Sequence, residues 1–162
     1  MSQRRGHQPL VARLAAAARV SLALALLVVT ALVGPKPRAD VAASSFRVIV
    51  HGSYTGSAID RSYLARLFLK KTTAWPDGEA ARPVDLPPES ATRQRFSHDV
   101  LERSVLAVRT YWQQLIFSGR GVPPPELESE EAVVNFVTHH QGAVGYVSGT
   151  AELRGAKVLP LR

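Results

Sequence analysis

Cysteine is absent from this 162-residue sequence. Disulfides, thiol nucleophiles and Cys-ligated metals are thereby excluded, and a folded domain must rest on its apolar core. Aromatic residues are scarce at 7%, with only two tryptophans, Trp75 and Trp112. Each large ring is thus a candidate core anchor or contact point. No Gly-x-Ser-x-Gly elbow and no paired-carboxylate motif occurs, so no reading as an enzyme has a starting point. His139 and His140 are adjacent and point to different sides of a helix, which rules them out as joint ligands of one metal. No cofactor or metal is expected. The apolar run Val20–Val33 is 14 residues long. As a helix it spans roughly 21 Å, short of the roughly 30 Å hydrocarbon core of a bilayer.

That run is nevertheless informative. Arg4, Arg5, Arg13 and Arg19 precede it, Gly34-Pro35 ends it, and Val41-Ala42-Ala43 offers small residues before Ser44. A basic start, a short apolar stretch and a small-residue cleavage site together predict a secretory signal over residues 1–43. The alternative is an uncleaved anchor. Either way the domain, residues 44–162, is expected outside the cytoplasm. Residues 1–43 carry six Lys/Arg against one acid, whereas the remainder carries 14 against 12. The high pI belongs largely to the leader and is no footprint of nucleic-acid binding.

Past the leader, strands and helices alternate. Phe46–His51 is rich in β-branched residues and reads as a buried strand. Asp60 caps a helix that presents Leu64, Leu67 and Phe68 to the core. Arg82–Leu86 reads as a second strand. Ser90 begins a helix with Phe96, Val100 and Leu101 inward. Ser104 begins another with Val105, Val108, Trp112, Leu115 and Ile116 as its apolar stripe. Phe117–Pro125 is too rich in glycine and proline for regular structure. Ser129 begins a further helix with Val133, Phe136 and Val137 inward. Ala143–Ser148 reads as a strand and Lys157–Leu161 as a last one. The class is α/β with a small sheet.

Asp85-Leu-Pro-Pro-Glu-Ser90-Ala-Thr-Arg-Gln-Arg-Phe96 is the most informative stretch. Helix N-termini favour acidic residues, because unpaired N–H groups and the macrodipole make that end positive. Arg93 and Arg95 oppose that preference in the opening turns. A bound anion would relieve the conflict through backbone amides, a hydroxyl and an arginine fork. The plainer alternative is a capped helix with both arginines on a solvated face and Arg95 paired to Asp99. The Gly52–Ser57 loop is a weaker anion candidate, with a simple connection as its alternative. Trp112 reads as core, and Trp75 as packing the turn at Pro76.

Three segments carry a family resemblance. Leu64-Ala-Arg-Leu-Phe68, Lys71 and Trp75-Pro-Asp-Gly78 resemble the helix–loop of substrate-binding proteins of phosphate ABC transporters. Glu89-Ser90-Ala91-Thr92-Arg93-Gln-Arg-Phe96 resembles their Ser-Gly-Thr phosphate-binding turn. Gly142-Ala-Val-Gly-Tyr146 resembles their late Gly-Ala-Ile-Gly-Tyr strand. Phe117-Ser-Gly-Arg-Gly121 is similar to a stretch in short exported members. The resemblance implies a type II periplasmic-binding-protein-like domain, a small mixed sheet flanked by helices and truncated relative to the two-lobe fold. It implies a noncatalytic protein that binds phosphate or a similar oxyanion, with an ABC permease or an envelope sensor protein as partner. Ser90, Thr92 and Arg93 would contact the anion together with the amides through Ala91, and Arg120 is a second candidate cation. Ala91 stands where the family has glycine, and the chain has about half the family's length. The alternative is an envelope interaction domain that keeps the fold without a ligand, using Trp75 and Val122–Pro125 as its surface.

Overall fold

The computed structural model describes residues 45–162, which lie within one compact unit. The predicted signal, its cleavage site and the anchor alternative fall on residues outside the described ones. The described elements run β1 (Phe46–Val50), α1 (Arg61–Phe68), β2 (Arg82–Pro83), α2 (Ala91–Asp99), α3 (Val105–Phe117), α4 (Glu130–His139), β3 (Ala143–Ser148) and β4 (Lys157–Val158).

The strands form one mixed sheet in the order β2-β3-β1-β4. β1 lies antiparallel to both β3 and β4, with Phe46 opposite Ser148 and Ile49 opposite Val158, while β2 runs parallel to β3. Val48, Ile49 and Val50 are all buried. Successive strand residues face opposite sides, so a continuous buried run requires cover on both faces. The neighbours Gly145 and Tyr146 show what provides it. A Cβ on Gly145 would meet Val133 of α4 at 2.5 Å. The Tyr146 ring, on the other face, stacks on Phe96 of α2 with centroids 3.8 Å apart and planes 5° from parallel. Thus α4 covers one face and α2 the other. Phe68 of α1 joins α2's side, 4.7 Å from Phe96 and 5.8 Å from Tyr146.

Gly142 turns the chain from α4 into β3 at φ +75°, and a Cβ there would lie 2.2 Å from the carbonyl oxygen of Ala80. The two glycines of Gly142–Tyr146 thus serve a left-handed turn and a close helix–sheet contact. Trp75 fastens the same turn: it is buried, its indole N–H donates to the Gly142 carbonyl at 2.9 Å, and its ring meets Tyr54 at 4.3 Å. Burial removes Trp75 from any contact surface, which corrects that part of the interaction-domain expectation.

Three other expectations shift. The strand expected over Arg82–Leu86 is extended but changes partner midway. The Arg82 amide bonds the Gly142 carbonyl just before β3 and the Val84 amide bonds Val144 within it, whereas the Asp85 amide bonds the Pro125 carbonyl and the Leu127 amide returns to Asp85. Pro83 has no amide to donate, and the ladder ends beside it. In α3 only Val108 and Trp112 are buried, and Ile116 is 49% exposed. That helix packs along one narrow side. In α4 the buried residues are Val133, Val134 and Val137, while Phe136 is half-buried and stacks on the His140 ring at 4.0 Å.

Candidate functional site

Pro87 and Pro88 stiffen the approach to α2, and the Ser90 amide closes a turn onto the Pro87 carbonyl at 3.0 Å. Ser90 is the N-cap: its hydroxyl accepts from the Arg93 amide at 3.3 Å. Such a cap satisfies one of the unpaired amides of a helix start. Ala91 is exposed and Ser90 half-buried, so the turn itself remains open.

The next two residues are engaged with the protein. Thr92 is 9% exposed and donates its hydroxyl to one carboxylate oxygen of Glu130 at 2.7 Å. The Ser148 hydroxyl donates to the other oxygen, also at 2.7 Å. Glu130 opens α4, whose cap is Ser129. One carboxylate therefore joins the first turns of two helices to the end of β3, at the positive pole of each helix.

Arg93 is 4% exposed, so it does not lie on a solvated face. Its guanidinium meets the Asp85 carboxylate at 2.9 Å and Glu126 at 3.1 Å, and it donates to the Leu86 carbonyl. The Arg93 Nε is buried without a partner. Asp85 is buried as well, accepts from the Leu86 amide at 3.0 Å and from the Tyr146 hydroxyl, and is fixed between β2 and Glu126 by its backbone. Burial pushes the Asp85 carboxyl above its ordinary value, against the opposing pull of Arg93 and these hydrogen bonds. Burial, with the Asp85 charge second, pushes the Tyr146 phenol upward. Tyr146 is thereby held neutral as a donor to Asp85.

Beside this cluster a cleft of about 420 Å³ opens between the approach to α2, the inner side of α3 and the proline-rich segment. Trp112, Ile116, Pro123 and Pro124 form apolar walls, with Arg93, Arg109 and Glu126 as charged groups among the lining. Arg95 stands apart from it, exposed and paired with Asp99 at 2.6 Å. Arg120 is exposed beyond α3, and its Nε donates to the Ser118 hydroxyl at 3.1 Å. The structure thus gathers Ser90, Ala91, Thr92 and Arg93 in one turn and bonds Arg120 elsewhere.

The Gly52–Ser57 loop offers carbonyls inward. The Lys157 ammonium donates to the carbonyls of Tyr54 and Gly56 at 2.8 and 2.9 Å, a cation-accepting geometry. His139 and His140 each place Nδ1 at 2.8 Å from the carbonyl four residues back, at the end of α4 where donors are wanted. Among the described residues no group of three or more His, Asp or Glu could hold a metal ion, and no helix is long and apolar enough to cross a membrane.

Asp85, Glu126, Glu130, Ser148 and Tyr146 escaped the sequence reading as site residues. Glu130 carried a partial signal, being an acid at a capped helix start, but its partners lie 38 and 18 residues away.

No protein-family model and no curated protein matches the sequence. Solved structures do match. A candidate phosphate ABC transporter substrate-binding protein with bound phosphate from Clostridium perfringens superposes with a TM-score of 0.57 at 14% identity, over 72% of this chain and 44% of that one. A candidate phosphate-binding protein from Planctomyces limnophilus gives 0.51 at 14% identity, over 72% and 41%. PstS from Borrelia burgdorferi gives 0.50 at 10% identity, over 73% and 47%. The chain spans less than half the length of each. The described domain thus shares the mixed α/β fold of the matched part of these solved structures.

Proposed function

We propose that this chain is an exported, noncatalytic oxyanion-binding protein of the phosphate-transporter type. The anion would sit at the start of α2, on the Ser90 hydroxyl and the amides of Ala91 through Arg93, with the Arg93 charge behind the turn. The observation that carries the reading is the placement of Ser90–Arg93. They form the capped first turn of a helix that follows a sheet strand, and the outer residues Ser90 and Ala91 stay open. Phosphate is the first candidate, with an ABC permease or an envelope sensor as partner. Arg120 remains a candidate second cation, from the loop beyond α3.

The neighbouring carboxylates set the expected strength. Thr92 already donates to Glu130, and Arg93 already faces Asp85 and Glu126. An arriving anion must displace Glu130 from Thr92 or do without that hydroxyl, and it meets the carboxylate charge. Binding is therefore weak. Millimolar phosphate should shift the Ser90–Arg93 amide resonances and raise the melting temperature. Glu130→Gln keeps the side-chain size, removes the charge and should tighten binding about tenfold, the effect of roughly 1.4 kcal/mol. Ser90→Ala should weaken it. If neither the wild type nor Glu130→Gln responds to phosphate or sulfate, the anion reading fails.

The engagement of Thr92 and Arg93 with carboxylates favours a second reading, an envelope interaction domain that keeps the fold and binds no small ligand. Its surface would be the exposed side of α3 and Val122–Pro125.

A further inference from the structure

The exposed large apolar side chains of the described residues are concentrated in one place. Leu106 is 71% exposed, Ile116 49%, Phe117 90% and Val122 62%, and these four lie on α3 or just after it, while the fifth, Val158 at 38%, stands apart on β4. Leu106 and Phe117 are separated by three helical turns, so they share one side of α3 about 16 Å apart. Isolated exposed apolar residues are ordinary, but a cluster of this kind marks a contact surface.

A hollow opens on the adjacent side of α3. Ile116, next to the protruding Phe117, lines the 420 Å³ cleft whose apolar walls include Trp112, Pro123 and Pro124. It also carries both signs of charge. α3 has Arg109 and no acid, while Glu126 lines the other side of the cleft. Glu126 is only partly engaged: its side chain is 49% exposed although it reaches Arg93. Phe117 thus follows directly on a residue of a hollow that is lined by both a cation and an anion.

We propose that this face binds a second copy of the chain in a twofold dimer, each Phe117 entering the other's cleft and each Arg109 approaching the other's Glu126. A twofold interface brings one patch against itself, so it requires a self-complementary surface. An apolar projection beside an apolar hollow, with opposite charges at the edges, meets that requirement. Phe117 resembles the buried aromatic anchors that dominate interface energetics, and the charged edge sets register and encounter rate. The inference does not rest on anion binding, although Arg93, behind the proposed anion turn, also lines the cleft.

The domain 44–162 is the protein to test, since the described residues 45–162 lie within one compact unit and hold the core. Sedimentation equilibrium should show monomer and dimer exchanging with a micromolar constant. Phe117→Asp should leave a monomer with an unchanged circular dichroism spectrum, as expected for a residue 90% exposed. Arg109→Glu should weaken the dimer about tenfold, a change of roughly 1.4 kcal/mol, and reverse the salt dependence of that contact, because like charges then face each other. A wild type that stays monomeric to submillimolar concentration overturns the proposal. So does a Phe117→Asp variant that dimerises like the wild type. Growth beyond the dimer overturns the twofold arrangement, because a patch docking on a different patch propagates.

Discussion

Helices α2 and α3 follow one another in sequence, and a serine caps each, yet their burial is the reverse of their composition. α2 is the polar helix, Ala-Thr-Arg-Gln-Arg-Phe-Ser-His-Asp, and it buries Thr92, Arg93 and Ser97 beside Phe96. α3 is rich in Val, Leu, Ile and aromatic residues, and it buries only Val108 and Trp112. Position explains the difference. α2 lies directly on the sheet, so its polar groups are enclosed whatever their chemistry. Thr92 and the Arg93 guanidinium persist there because carboxylates meet them, as a buried charge requires. α3 packs on α2 and leaves an apolar side without cover. Enclosed polarity is answered inside the molecule, by Asp85, Glu126 and Glu130. Exposed apolarity is answered, on the inference above, by another copy.

The largest test of this contrast removes the charge that α2 encloses. Arg93→Ala leaves Asp85 buried without its partner and should cost about 3–5 kcal/mol. The midpoint of urea unfolding measures it, and Asp85→Asn combined with Arg93→Met should recover part of the loss. If Arg93→Ala costs no more than a surface change, the ion pair is not what holds α2 in place.

A pH series sharpens the same point. Burial places the folded-state pKa of Asp85 above its unfolded value, so the folded protein holds that proton more tightly. The stability this adds is fully present below the unfolded value and is lost as pH rises through the raised folded value. Asp99 acts oppositely, since hydrogen bonding from His98 and then Arg95 lowers its pKa. Its contribution is present above the unfolded value and lost as pH falls through the lowered one. Asp85→Asn should therefore flatten the stability profile just above the ordinary carboxylate range and leave the more acidic limb in place. Unfolding midpoints between mild acid and neutrality would register this, and an unchanged slope would remove Asp85 from the account.

Smaller effects follow at the helix start and on the open face. Ser90→Ala should cost about 1 kcal/mol through the lost cap. Leu106→Ser, in dilute solution where the chain is a monomer, should change stability by no more than about 0.5 kcal/mol. The ordering itself is the test. Replacing the enclosed Arg93 in the polar helix should damage the fold far more than replacing the exposed Leu106 in the apolar helix.

Much of the fold was legible because its signals are local. Phe46–Val50 announces a strand through β-branched residues, and Asp60, Ser90, Ser104 and Ser129 each announce a helix through a hydroxyl or carboxylate at the cap. The Gly142–Tyr146 segment was recognised by resemblance, and its glycines prove to serve a positive φ and a close helix contact. The site was legible as a turn but not as a network. Nothing near Thr92 in sequence points to Glu130, and nothing near Arg93 points to Glu126, 33 residues on. Arg93 and Arg95 look alike two residues apart. One faces the interior and the other solvent, because the helical rotation between them is about 200°. Which of the two turns inward depends on where the sheet lies.

The sequence by itself determined the elements, their α/β order, the Ser90 cap and the concentration of positive charge in residues 1–43, since these follow from neighbouring residues and helical or strand periodicity. Only the tertiary structure decided that Arg93 is enclosed by carboxylates, that Glu130 bridges Thr92 and Ser148, and that α3 keeps an apolar side open. Those outcomes depend on which distant segments meet across the sheet. Burial and charge pairing arise only when they do.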